Sequence, residues 1–473
     1  MVLDVEWPDR YRDTAVSRRA VLRSGVAVTA GGYLAQSGVD TASAQTDDNW
    51  PIQGKDSANT SVSSETAALV AEPAVIEQDD PPVTANSDYL LTQETAYIHT
   101  AENGISAIDI TSGELQWQFS QNDQQLIPEG IDGNDVLVRS FDGDFFAIDT
   151  DTGTISYEAE LAQGYGLGYN GTGRWYAPVS DGRVIAGEES ETRWEVDVDG
   201  VGFRPAEDSG KIFLPTVDVS PSDVDPDDPA SINAEGRLYA LETADGTVSW
   251  EATRSGGGMG DPAVRFNTVY WPGTDGDIIA LDNDTGDELW TFETDGSFPL
   301  SPAVTNGIVY AGNQDGTLYG IDPTSGEEIG RFSVESPITT NPVVVDEAVY
   351  FGTDDGLVYA VERENPELLW EYDAGTAVQS LAPGNNALAV GTETGYHILS
   401  GEDSATGSNA TPAPNSTPTG QNQTDENSTT TRQRGLFSNS GDEPEFVSNP
   451  FNLTMLGFLL SVAGIVHQML QGR

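Results

Sequence analysis

ALDNDTGDELW, residues 280–290, decides the reading of this chain because close variants of it recur. They are AIDITSGELQW (107–117), AIDTDTGTISY (147–157), ALETADGTVSW (240–250) and AVERENPELLW (360–370). Two weaker copies are GIDPTSGEEIG (320–330), which loses the Ala and the Trp, and a shortened AGEESETRW ending at Trp194. Each is a β-type run, a polar turn and a second β-type run, with Asx and glycine chemistry reversing the chain between them. A small residue such as Ala280 allows close approach between neighbouring layers, and Leu281 packs on one face. Trp290 offers a large flat surface for stacking on the next unit. Trp117, Tyr157, Trp194, Trp250, Trp290 and Trp370 are therefore expected to be structural docking residues.

Around these stretches the frame is periodic. Turn glycines fall at Gly104, Gly143, Gly182, Gly236, Gly276, Gly316, Gly356 and Gly395. Their spacings are 39, 39, 54, 40, 40, 40 and 39 residues, taken from those positions. A period near 40 with strand-like texture signals a radial β repeat. The long interval marks an insertion of 14 residues (54 minus 40), placed at DVSPSDVDPDDPAS, 218–231. Within one repeat, SPAV, GIVYAG, GTLYGID and EEIGRF read as the four strands of one blade. Eight glycines predict an all-β, eight-bladed β-propeller of four-stranded antiparallel blades. The last repeat runs out after its third strand, at GYHILSG (395–401). An unpaired edge there would expose a row of backbone donors and acceptors. AALVAEPAVIE (67–77) is the expected donor of the missing outer strand.

The docking stretches resemble the tryptophan-docking repeat of the PQQ-like, quinoprotein dehydrogenase-like β-propellers, and NWPIQGKDSANT (49–60) is similar to the entry segment of that family. The resemblance covers residues 50–401. It implies the propeller fold and two alternative roles. One branch holds PQQ over Ca²⁺ on the funnel axis with a catalytic Asp; the other consists of non-enzymatic propellers like BamB, and exported haloarchaeal proteins share the repeat. The family's alcohol dehydrogenases carry a vicinal disulfide and long site-building insertions, whereas this chain has no Cys and near-minimal repeats. Its soluble sugar dehydrogenases use a histidine base. Here His99 and His397 fall on propeller strands and His467 in the C-terminal apolar run, with no catalytic motif around them. No catalytic, cofactor-binding or metal residue is expected; PQQ with Ca²⁺ belongs only to the alternative of a membrane-associated dehydrogenase oxidising an alcohol or sugar.

Composition narrows the partners. The 473 residues contain 20 Lys+Arg against 77 Asp+Glu, a formal charge of −57. Such a surface repels nucleic acid and anionic lipid. The carboxylates are scattered through patterned β sequence, as in proteins of extreme halophiles, where salt screens their repulsion. The acidic run DVDPDD (223–228) lacks the glycine and the distal acid of an EF-hand loop, since Asp228 and Ala234 hold those places. It reads as a solvated loop, and the enlarged fourth repeat as a partner-contact site. Trp175 and Trp271, on second strands, read as blade packing.

The ends read as targeting segments. SRRAVLR (17–23), with the paired Arg18 and Arg19, precedes a weakly apolar stretch and ASA (42–44), the pattern of a twin-arginine signal over 1–44. The propeller is assigned to 45–401. Residues 402–450 are rich in Ser, Thr, Asn, Gly and Pro and form a predicted disordered stalk, with sequons beginning at Asn409, Asn415, Asn422 and Asn427. FNLTMLGFLLSVAGIVHQML (451–470) is the expected C-terminal transmembrane anchor. The chain is thus expected to be an exported, monomeric propeller on the outer face of the cell membrane, binding a protein or another cell-surface component.

Overall fold

In the computed structural model the described residues are 62–63, 68–71, 73–79, 89–91 and, with short interruptions, 95–401. Their sheets form eight blades. Blade 5 shows the pattern: an inner strand Ala263–Arg265, then Thr268–Pro272, Asp277–Asp282 and an outer strand Glu288–Glu293, each antiparallel to the last. Middle strands are covered on both faces by neighbouring blades, which is why TVYWP is buried throughout. Outer strands alternate, so ELWTFE buries only Trp290 fully. Exposed Leu115, Ile155, Val248 and Leu368 all begin outer strands and are spread around the rim.

The ring closes as the sequence predicts. Ala74–Asp79 is the outer strand of blade 8, antiparallel to Tyr396–Ser400. Within the 67–77 stretch the described strand begins at Ala74; Leu69, ahead of it, plays a different part. A second N-terminal piece, Val62–Ser63, adds a parallel fifth strand to the inner edge of blade 7 at Val343–Val345. The chain therefore runs from the axial edge of blade 7 to the rim of blade 8.

The insertion lies in blade 4, between Lys211–Asp218 and Glu235–Glu242. It is not plain loop: Val224–Asp225 and Asp228–Ile232 pair as a separate two-stranded sheet. Among the described residues no group of three or more His, Cys, Asp and Glu is arranged to hold a metal ion, and no helix is long and apolar enough to cross a membrane. The expected signal (Arg18, Arg19), stalk sequons (Asn409, Asn415, Asn422, Asn427) and anchor (451–470) lie outside the described residues.

Candidate functional site: docking clasps and the inner ring

Each outer strand departs from regular pairing at the same place. In blade 5, Ala280 pairs with Trp290 and Leu281 with Glu288, leaving Leu289 as the extra residue of a β-bulge. The same register shift precedes Trp117, Tyr157, Trp194, Trp250, Gly330 and Trp370. It recurs between Val75 and Glu77 in the strand that closes blade 8. A bulge re-aims the side chain that follows it, and here that side chain is the docking residue. Ala280 lies between Tyr270 and Trp290 in the pairing, and the two rings meet at 5.8 Å. The small residue thus makes room for an aromatic pair across three strands as well as for the neighbouring blade. Tyr97–Trp117, Tyr176–Trp194, Phe213–Trp250 and Tyr350–Trp370 repeat the pair at 5.7 to 6.1 Å.

The indole then reaches the next blade. Trp117 Nε1 donates to Thr150 O (2.7 Å), Trp194 to Thr243 O (2.9 Å), Trp250 to Asn283 O (2.9 Å) and Trp290 to Pro323 O (3.0 Å). All four acceptors are the second residue of the receiving turn. Three residues further on stands a glycine with positive φ: Gly153, Gly246, Gly286 and Gly326. A Cβ on Gly153 would lie 2.8 Å from the docked indole, and one on Gly286 or Gly326 2.7 Å from it. One on Gly246 would lie 2.5 Å from Val196 and 2.7 Å from the Trp194 ring. The glycine is therefore required twice, by backbone conformation and by the ring lying on it.

Where the receiving turn changes, so does the docking residue. Blade 3's turn is cut to two residues, 189–190, between Glu188 and Glu191, and the residue facing it is Tyr157. Blade 7's turn has Pro366 in the glycine position, and blade 6 has Gly330 in place of Trp. In that interface the hydroxyl of Tyr310 donates to Arg363 O (2.6 Å), the carbonyl that an indole takes elsewhere, and the bulge residue Ile329 is buried. At the seam, Trp370 Nε1 donates to Leu69 O (2.5 Å) and Leu69 N to Tyr350 Oη (2.6 Å). The N-terminal segment thus supplies the carbonyl that a turn would otherwise offer.

The two strand histidines have structural surroundings. His397 Nδ1 shares a 2.7 Å hydrogen bond with Tyr372 across blades 7 and 8. His99 is buried in blade 1, and burial lowers it to about 4, keeping the ring neutral. Trp175 is buried against Phe145 (5.7 Å) and Trp271 beneath the Arg254 guanidinium (5.1 Å), so both are blade packing.

The inner ring holds charges that the repeat pattern did not point to. Glu129, on the inner strand of blade 2, is buried and accepts from Arg139 Nε (2.9 Å) and from Arg204 Nη2 (2.7 Å). Arg204 belongs to blade 4, so this pair reaches past blade 3. Among the described residues the inner strand of blade 3 is Gly168–Tyr169, with Gly168 so close to Pro205 that a Cβ would lie 2.6 Å from it. Beyond Arg204 the ring continues through Asp261, whose carboxylate lies 3.9 Å from Arg204 Nε. Ser301 Oγ donates to Asp261 O (2.7 Å), and Ser301 N donates to Asn341 Oδ1 (3.0 Å). Desolvation raises Asp261 to about 6 despite the opposing pull of Arg204, with Glu129 adding to the rise. One sequence signal could have found these residues: Arg204, Asp261, Ser301 and Asn341 each precede a proline that opens an inner strand. The residue before proline is held extended, which fixes this polar position in each blade.

Comparison with known proteins agrees with this architecture. The family described as outer membrane protein assembly factor BamB matches over residues 9–166, 101–201, 180–329 and 275–448. No curated protein sequence matches the chain. Among solved structures, BamB from Moraxella catarrhalis is similar at 18% identity and TM-score 0.55, covering 69% of this chain and 99% of its own. A europium-containing methanol dehydrogenase is similar at 14% identity and TM-score 0.60 (75% and 91% covered). The quinohemoprotein alcohol dehydrogenase of Comamonas testosteroni matches at 14% and 0.59 (76% and 82% covered). At such identities the likeness is one of fold.

Proposed function

The chain belongs to the family described as outer membrane protein assembly factor BamB, and from that membership we propose that it is a non-enzymatic propeller, a rigid platform that binds a protein partner. In this reading it is exported through the Arg18–Arg19 signal. It stands outside the cell as a monomer, held by its C-terminal apolar segment. The observation that carries the reading is the state of Glu129: a buried axial carboxylate committed to two guanidinium groups from different blades. Charges used in this way tie blades together and hold the platform rigid.

Similarity to quinoprotein dehydrogenases makes PQQ with Ca²⁺ the alternative, so the axial donors matter. Calcium takes 6–8 oxygen ligands, several of them anionic. The axial carboxylates Glu129 and Asp261 have Arg204 between them, and the neighbouring belt residues Ser301 and Asn341 are bonded to one another. Among the described residues, that donor set does not suit a dication. The test is affinity capture from the cell envelope in molar salt, using the full chain as bait. One protein retained in fixed ratio and displaced by untagged chain is the expected result. Saturable dye-linked oxidation of an alcohol or aldose by the purified chain would overturn it.

A further inference from the structure

Among the described residues, four inner hairpins turn through two residues: Gly133–Asn134, Ser209–Gly210, Phe266–Asn267 and Asp346–Glu347. The first residue of each has positive φ, and three of the four are small or polar, as such turns favour. Blade 5 instead places Phe266 there, at φ 55, with Asn267 following at φ 62. A bulky residue in the left-handed region is strained. Phe266 gains no burial in return, since it is 58% exposed, the largest value among the exposed large hydrophobic side chains of the described residues.

The tip is also held rigid. Arg265 donates from Nη1 to Val304 O (2.9 Å) and from Nη2 to Asn306 Oδ1 (3.3 Å), both in blade 6. Its guanidinium carbon stands 5.1 Å from the Phe266 ring centre. Beneath the tip, Asn283 N donates to Asn267 O (3.1 Å), so the hairpin rests on the docking turn that receives Trp250. That turn carries Asp282, Asp284 and Asp287, of which Asp284 is paired with Lys211 (2.9 Å). The result is an aromatic ring fixed at a loop tip, strained and exposed, with the Arg265 guanidinium over it and an acidic turn beneath the hairpin. Backbone strain kept without a packing gain points to function, and rigid aromatic anchors dominate binding surfaces.

We propose that Phe266 is the anchor by which this propeller docks its partner, and that the partner presents an apolar pocket rimmed by basic side chains. The inference rests on the platform reading and specifies the surface and the partner's chemistry. Complementarity fixes the sign of the rim, because the turn beneath the tip carries three carboxylates against the single Lys211 and the chain as a whole is acidic.

The experiment uses the full chain and its Phe266→Asn variant in molar salt, where unspecific attraction to the acidic surface is screened. The probes are two labelled peptides of equal length, one alternating lysine and leucine, the other glutamate and leucine, followed by fluorescence anisotropy. The wild-type chain is expected to bind the lysine peptide at least tenfold more tightly than the glutamate peptide. Phe266→Asn is expected to lose that binding tenfold or more. Asn tolerates the left-handed conformation, so the same substitution should raise Tm. Equal binding by wild type and variant would overturn the anchor while leaving the platform reading intact. Absence of preference between the peptides would overturn the partner class, and a lowered Tm would show that Phe266 serves the fold.

Discussion

Replacing Gly286 by alanine tests the clasp with an internal control. Gly286 has φ +74, and a Cβ there would lie 2.7 Å from the Trp250 ring. Gly210 has φ +80, and a Cβ there would meet nothing within 4 Å. Forcing an L-residue into the left-handed region costs roughly 1–2 kcal/mol, and this applies to both sites. Overpacking adds about 1–3 kcal/mol, and this applies to Gly286 alone. Gly210→Ala should therefore destabilise by ~1–2 kcal/mol and Gly286→Ala by ~2–5 kcal/mol. The assay is urea denaturation in molar salt followed by far-ultraviolet circular dichroism, read from the midpoint at unchanged slope. In a Trp250→Leu background the ring is gone, and Gly286→Ala should fall to the cost of Gly210→Ala. Equal costs at the two glycines in the wild-type background would refute the docking account. So would a Gly286→Ala cost that survives the loss of Trp250.

Further expectations concern the substitute clasp, two titrating groups and the inner ring. Tyr310→Phe removes the donor to Arg363 O and should cost about 1–3 kcal/mol in the same assay, because the partner carbonyl loses its hydrogen bond. His99, lowered to about 4, makes stability fall as pH drops from 6.5 toward 4, since the unfolded chain takes up the proton first. Asp261, raised to about 6, acts oppositely: the folded chain takes up its proton first, so stability rises as pH falls from 6 toward 4. His99→Gln should therefore become relatively more stable at pH 4.5 than at 6.5 compared with wild type, and Asp261→Asn relatively less. Thermal melts at the two pH values check the opposite signs. Arg204→Ala leaves buried Glu129 with Arg139 alone and should cost roughly 3–5 kcal/mol, whereas Arg193→Ala, whose pair with Glu188 is exposed, should cost about 0–1 kcal/mol.

Most of the fold was legible because the repeat writes its own contacts. The Trp, the turn and its glycine lie within one short stretch, so their recurrence carried blade count, strand order and docking residues together. The closing strand was legible for a physical reason too, since an open eighth blade demanded a partner and one apolar run stood unassigned. Four features resisted. Leu69 serves Trp370 through its backbone, and a carbonyl leaves no mark in sequence. The Glu129–Arg204 pair joins residues 75 apart across a neighbouring blade, outside any local period. Tyr310 was hidden differently: it has the residue type common at its position and becomes a clasp only because Gly330 withdrew. Phe266 leaves no mark in sequence either, because what sets it apart is the left-handed backbone of its turn.

An axis built to hold a platform rigid has no place for a quinone cofactor. Titration of the purified chain with PQQ and Ca²⁺ in molar salt, followed by absorbance and by dye reduction with alcohols and aldoses, tests this most directly. The expected result is no saturable cofactor absorbance and no turnover above buffer. Stoichiometric PQQ binding that depends on Ca²⁺ and supports dye reduction would contradict it.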